Sequence, residues 1–317
     1  MKIVNVIFDS RHRGFTFDCV IFFILADIVR YINGFDSIVV RIIMNGFRKQ
    51  TEREHLYSDD SKRWRLYHIV AQVPRLLEST VEISATSLLP ESVPTNVFPS
   101  GYHPTHPQIS AKTVFQPIVF SRFKDSGIEI RRLAAGSFAK SIVSERLGSR
   151  PFVTISLRSS KFQPARNSNI AAWLAFAEIL EEMGYDVHFI PDFEDLYALS
   201  SPNLRGRLLV DAASDLQIRM AYYELAYHNF CVSNGTSALL YFSRCAFSMF
   251  GILREGVNNC TSEFLLSASG LRQDEKYYWL DERQHFIWEE DSFERIRAHF
   301  HDLVRLGQLG PVAVPDH

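Results

Sequence analysis

FVTISLRSSKFQPARNSN, residues 152–169, decides how this chain is read. Its β-branched opening, Val153 to Leu157, predicts a strand bounded by Pro151 and a polar loop. Arg158, Lys161 and Arg166 then fall in a loop without an acidic residue. Asn167 or Ser168 is placed to cap a following helix, in which Ile170, Trp173, Leu174, Ala177 and Leu180 recur at helical spacing. A strand that empties into a cationic loop and a capped helix start points side-chain charge and the helix dipole at one volume. Phosphate or diphosphate is the guest such a volume suits; the alternative is a solvated basic loop.

Outward from that stretch, strands and helices alternate. Gly184 ends the helix, Asp186 to Ile190 reads as a strand, and PDFEDL follows. Leu208–Val210 is a third strand candidate, Asp215–Ala226 a helix and Asn229–Ser233 a fourth strand. Asn234-Gly235-Thr236-Ser237 passes into a helix from Ala238 to Arg244, then a strand from Ala246 to Ile252. Ser292–Leu306 is a terminal helix. This rhythm predicts a doubly wound parallel sheet.

In a parallel sheet the Asn234–Ser237 turn shares the carboxyl edge with Arg158. Gly235 permits a positive φ or a close backbone approach, and the amides of Thr236 and Ser237 are expected to point out of the helix start. The two turns together suit a diphosphate clamp, although the Asn-Gly-Thr-Ser turn also serves as a plain cap. Asp192, after the next strand, is placed for ribose hydroxyls, with Glu194, Asp195 and Glu224 as competing choices. The P-loop lysine motif, GxGxxG, HExxH and GxSxG are all absent.

The first half opens with a strand, Lys2–Phe8, a polar loop, a helix over about 17–31 and a second strand, Ser37–Met44. That order implies a parallel pair with a right-handed crossover. Asp9, Arg11, His12 and Asp18 then lie at the strand's carboxyl end, although Asp18 also suits a helix cap. Residues 47–78 are helical in character, Val81–Ala85 a short strand, 90–107 a long loop and Thr113–Phe120 another strand. His103 and His106 in that loop lack further nearby ligands, and no metal site is assigned. A helix over 131–147 leads to Gly148 and Pro151, which place the boundary between a domain of residues 1–149 and one of 150–317.

Composition bounds the rest. The 317 residues, 46% hydrophobic and 22% charged, suit about two domains. A net charge of -2 gives no argument for nucleic acid as a partner. The four cysteines form no CxxC pair, which suggests reduced thiols and a cytoplasmic protein. The apolar run Cys19–Ile32 contains Asp27 and Arg30 and is shorter than the roughly 20 residues of a membrane span. Peripheral membrane contact stays compatible, and the oligomeric state is not legible.

SNGTSALLYFSRCAFSMFGI, residues 233–252, resembles the late strand–turn–helix–strand segment of GT-B glycosyltransferases, notably the heptosyltransferase type. ISLRSSKFQPARNSN with the later IPDFED is similar to the donor half of fucosyltransferase-like GT-B proteins, although their HxRRGD-type signature is not present. The resemblance covers roughly residues 150–255. It implies an α/β chain of two Rossmann-like doubly wound domains facing a cleft, and a nucleotide-sugar site around Arg158, Arg166, Asn234, Gly235, Thr236 and Ser237. Lys161, Asn167 and Asp192 complete the expected donor set.

The expected activity is sugar transfer from a nucleotide-diphosphate donor to a glycan-type acceptor, as in polysaccharide assembly. No cofactor or metal is expected, because arginines and helix starts neutralise the departing diphosphate. Asp9, His12 or Asp18 is the expected base for an inverting transfer, with Asp9 or His12 preferred. An epimerase of GT-B-like fold and a non-catalytic nucleotide-sugar or glycan-binding protein are the rival readings.

Overall fold

The computed structural model describes residues 2–47, 55–105, 115–192, 204, 206–254 and 256–312. The chain divides into two units, Met1–Ala134 and Ala135–His317. The boundary therefore falls earlier than the expected 149/150. The reason is local: the amides of Ala135 and Gly136 donate to Glu224 Oε1 at 2.6 Å and Gln217 Oε1 at 2.7 Å, and Lys140 pairs with Glu224. The helix that sequence assigned to the first domain is thereby bound to the second.

The first unit holds strands β1 (Ile3–Asp9), β2 (Ser37–Ile43), β3 (Thr80–Thr86) and β4 (Val97–Phe98) in a parallel sheet of order β3-β2-β1-β4. Helix α1 (Cys19–Ile32) crosses from β1 to β2 and is buried from Cys19 through Ile28. Phe8 of β1 meets Phe22 edge-on at 5.5 Å and stacks on Phe23 at 5.7 Å, contacts that suit the ring quadrupoles. Asp27 is buried within this helix yet satisfied. It accepts from Arg30 Nε at 2.6 Å, Arg132 Nη1 at 2.7 Å and Ser79 Oγ at 2.5 Å. A short helix α2 (Asp59–Arg65), capped by Ser58, follows β2.

The second unit is a parallel sheet of order β6-β5-β7-β8-β9, made of β5 (Phe152–Ser156), β6 (Asp186–Ile190), β7 (His228–Val232), β8 (Phe247–Phe250) and β9 (Gln284–Phe286). Every residue of β5, β7 and β8 is buried, as expected of strands covered on both faces. On one face α4 (Ile170–Glu182) and α9 (Phe293–Arg305) bring Trp173, Phe176 and Phe300 onto Phe230 and Phe250. Full burial of each such ring is worth about 2–3 kcal/mol relative to exposure. Elsewhere α3 (Ser137–Arg146) packs beside α6 (Leu216–Leu225), whose N-cap Asp215 accepts the amides of Gln217 and Ile218.

Several expected elements differ. Pro117–Phe123 is a 3-10 helix rather than a strand, with Pro117 in its first turn. Residues 131–136 are irregular, and α3 starts only at Ser137. Leu208 makes a single parallel bridge to Phe189, after which α5 (Val210–Ser214) begins. The helix expected over 238–244 is one turn, α7 (Ala238–Tyr241). Helix α8 (Ser262–Ser269) and β9 were not foreseen. Among the described residues no helix is long and apolar enough to cross a membrane.

Candidate active site

Each sheet has one place where strand order reverses, and there the loops leaving adjacent carboxyl ends part to opposite faces. In the second unit it lies between β5 and β7, which are paired neighbours. The loop after β5 is the 158–169 stretch; the turn after β7 is Ser233–Ser237. Both sequence-selected turns therefore flank the same reversal.

The 158–169 loop is built around Arg158. Arg158 is only 6% exposed, and its guanidinium donates to the carbonyls of Phe162 at 2.5 Å and Gln163 at 3.1 Å, and to Asn167 Oδ1. Ser168 closes the ring, accepting from the Arg158 amide at 2.8 Å through Oγ and donating its own amide to the Arg158 carbonyl at 3.0 Å. Arg158 was expected to reach outward to a diphosphate. It is instead the internal strut of the loop, because a buried guanidinium must spend its donors on whatever carbonyls surround it. Gln163 takes a left-handed φ of 52°, which a non-glycine residue adopts at a cost of about 1–2 kcal/mol. That turn aims its carbonyl at Arg158 and its side chain at Arg166 Nη1, 3.1 Å away.

Arg166 joins the two turns, with Nη2 donating to the Ser233 carbonyl at 2.9 Å. Asn167 is occupied inside its loop, accepting from Arg158 and from the Ser160 amide at 3.0 Å. The cap of α4 is Asn169, whose Oδ1 accepts from the Ala172 amide at 3.2 Å, rather than Asn167 or Ser168. Lys161 is exposed on this loop.

In the second turn, Asn234 Oδ1 accepts from Thr236 Oγ1 at 2.8 Å and from the Ser237 amide at 2.9 Å, while Ser237 Oγ donates to the Asn234 carbonyl at 2.6 Å. The Ser237 amide is thus consumed internally instead of pointing outward. Gly235 does not adopt a positive φ. With only four residues in α7, little helix dipole stands behind the turn. Its contribution is a rigid polar ledge. Asp192 is described just past β6, the strand on the other side of β5, and is half-buried. Glu194 and Asp195 lie outside the described residues. Glu224 belongs to the α3 contact described above.

In the first unit the reversal lies between β1 and β4. Asp9 is buried and held by Arg11, which donates through its amide and Nε at 3.0 Å and through Nη2 at 2.6 Å. Tyr102, past β4, donates to the same carboxylate at 3.3 Å, and Arg11 Nη2 also reaches the Pro104 carbonyl at 2.9 Å. Asp9 therefore joins two loops and is not open to an acceptor. The His12 Nε2 atom is buried without a hydrogen bond, 3.9 Å from Asp9 Oδ2, and burial, only partly opposed by Asp9, lowers its pKa. Asp18 differs from both. It is exposed at the N-cap position of α1, makes no side-chain cap bond, and accepts from Thr16 Oγ1 at 2.8 Å. His103 binds back to Thr105 at 3.0 Å, and His106 is outside the described residues.

The sequence reading missed two residues at the second edge. Arg254, after β8, and Asp291, after β9, are both buried and pair at 3.2 Å. Arg254 also donates to the Ala165 carbonyl within the cationic loop. Their sole sequence signal is a lone charge in an apolar neighbourhood, which is weak. Burial raises the Cys260 thiol, while Arg166, Arg254 and Arg158 act in the opposite direction, so three guanidinium groups bear on one spot. Among the described residues no group of three or more His, Cys, Asp or Glu side chains is arranged to hold a metal ion.

No protein-family model and no curated protein sequence matches the chain. Solved structures do. The Escherichia coli ADP-heptose lipopolysaccharide heptosyltransferase II is similar over 98% of this chain and 100% of its own, with a TM-score of 0.52 and 12% identity. A glycosyl transferase family 9 protein from Veillonella parvula is similar over 96% of this chain and 97% of its own, with a TM-score of 0.50 and 9% identity. The chain has the GT-B fold. At such identities the likeness concerns backbone architecture, and residue roles rest on the geometry above.

Proposed function

We propose that the chain is a glycosyltransferase that binds a nucleotide-diphosphate sugar at the β5/β7 edge of its second unit and transfers the sugar to a glycan-type acceptor. One observation carries this reading. In a GT-B chain, the strand-order reversal of the second sheet bears a cationic loop that Arg166 ties at 2.9 Å to the polar turn beside it. Arg158 and Asn167 give the loop its shape, Lys161 and Arg166 supply positive charge for the departing diphosphate, and Asn234, Thr236 and Ser237 form the ledge opposite. Gly235 keeps that ledge free of a side chain. Fixed charges of this kind need no reorganisation as negative charge builds on the leaving group. Asp192 is assigned to the ribose. The transfer is proposed to be independent of metal, which requires turnover to persist in EDTA.

Asp18 is assigned as the base. It is exposed at the N-cap position of a 14-residue helix and makes no side-chain cap bond, so its carboxylate is open to an acceptor. Asp9 is spent on Arg11 and Tyr102, and the Nε2 of His12 is enclosed, so both shape the loop. A carboxylate that takes the acceptor hydroxyl's proton as that oxygen attacks the anomeric carbon implies inversion. The donor half is tested by thermal shift against nucleoside diphosphates and sugar nucleotides, with and without divalent cation. A ligand at 100 times its Kd stabilises the native state by about 2.7 kcal/mol. Absence of stabilisation by every nucleoside diphosphate would remove the reading.

A further inference from the structure

We propose that Asp291 and Arg254 are positioning residues that set the geometry of the cationic loop, an inference that rests on the donor-site reading above. Asp291 is 2% exposed, and its two oxygens have separate tasks. Oδ2 accepts from the Asn169 amide and from Trp173 Nε1, both at 2.8 Å, and so holds the start of α4. Oδ1 accepts from Arg254 Nη2 at 3.2 Å, and Arg254 Nη1 donates to the Ala165 carbonyl. The pair therefore grips the main chain at 165 and at 169. Arg166, which reaches the neighbouring turn, and Asn167, which holds Arg158, lie between those grips. Gly251 is fitted to the device: at φ +69° it lets the Arg254 guanidinium lie so close that an added Cβ would sit 3.3 Å from Nε.

Stability alone does not explain such a pair. Desolvating two charges costs about as much as their attraction returns, and a well-packed apolar replacement is often neutral or better. A charge-assisted fork, by contrast, fixes direction and distance. What it fixes here is a loop whose use depends on where Arg166 points.

Charge and position predict opposite signs. If Asp291 acted only as a negative charge near an anion site, D291N would tighten anion binding. Positioning predicts the reverse: calorimetric affinity for ADP, GDP or UDP, whichever binds the wild-type chain, falls roughly tenfold or more in D291N. Amide exchange across 160–169 accelerates, and the Trp173 indole N–H resonance moves. D291E restores part of the affinity. Should D291N fail to fold, R254K serves instead, since a single ammonium cannot reproduce the two-pronged fork. It is expected to give the same changes with a smaller amplitude. Equal or tighter binding, with loop exchange unchanged, overturns the proposal. If no nucleoside diphosphate binds the wild-type chain, the donor reading fails by itself, and loop exchange in D291N still decides whether Asp291 positions the loop.

Discussion

The strand-order reversals of the two sheets are alike in topology and differ in chemistry. Between β1 and β4 the loops carry carboxylates, one buried under Arg11 and Tyr102 and one exposed at Asp18. Between β5 and β7 they carry guanidinium groups wrapped in main-chain carbonyls. The same device recurs in both: a buried charge (Asp9 in one, Arg158 in the other) shapes the loop. A charged residue directly after a strand thus marks the place of a loop better than the direction its side chain takes.

The largest expected effect separates the two carboxylates of the first unit. Asp18→Asn should lower kcat by about 10²-fold or more with nucleoside diphosphate affinity unchanged, the loss typical of removing a general base. Asp9→Asn should chiefly lower the melting temperature. A normal turnover rate in Asp18→Asn would transfer the role elsewhere.

In the second unit Arg158→Met should both destabilise the chain, by roughly 2–4 kcal/mol in urea unfolding, and weaken nucleoside diphosphate binding. The stability loss distinguishes a strut from a solvent-facing ligand, whose removal would leave unfolding unchanged.

Acid should also tell the units apart. His228 and His299 share Ser248 Oγ at 2.9 and 2.8 Å, and His285 lies beside His299. Burial lowers all three, His299 to about 4. A histidine with a depressed native pKa contributes stability that is fully present above about pH 6.5 and lost as pH falls towards the native value. For His299 the loss is on the order of 3 kcal/mol by pH 4. His12 is also lowered by burial but is less enclosed. Amide exchange below pH 6 should therefore open the second unit before the first. The smallest effect is expected at the ledge, where Thr236→Ala should weaken binding only a few-fold, since its hydroxyl bonds Asn234 at 2.8 Å.

The parallel sheets and their carboxyl edges were legible because buried strands such as FVTIS and NFCVS are short runs rich in β-branched and apolar residues that end in polar loops. Edge elements were less so. The QHF of β9 has no apolar signature, and Thr113–Phe120 carries the β-branched content of a strand while Pro117 starts a 3-10 helix. That Arg158, Arg166 and the Asn234–Ser237 turn share one sheet edge was legible from their positions after the strands. Which arginine turns inward was hidden, because it depends on carbonyls brought together by the left-handed Gln163. The grip of Asp291 on Asn169 spans 122 residues, a separation that no local pattern reports.

The β5/β7 edge is proposed to hold the diphosphate of a sugar donor. Amide exchange, read peptide by peptide with and without saturating nucleoside diphosphate, tests it most directly. Protection concentrated in 158–169 and 233–237 is the predicted result. Binding with those segments unprotected, or protection confined to residues 9–18, would contradict it.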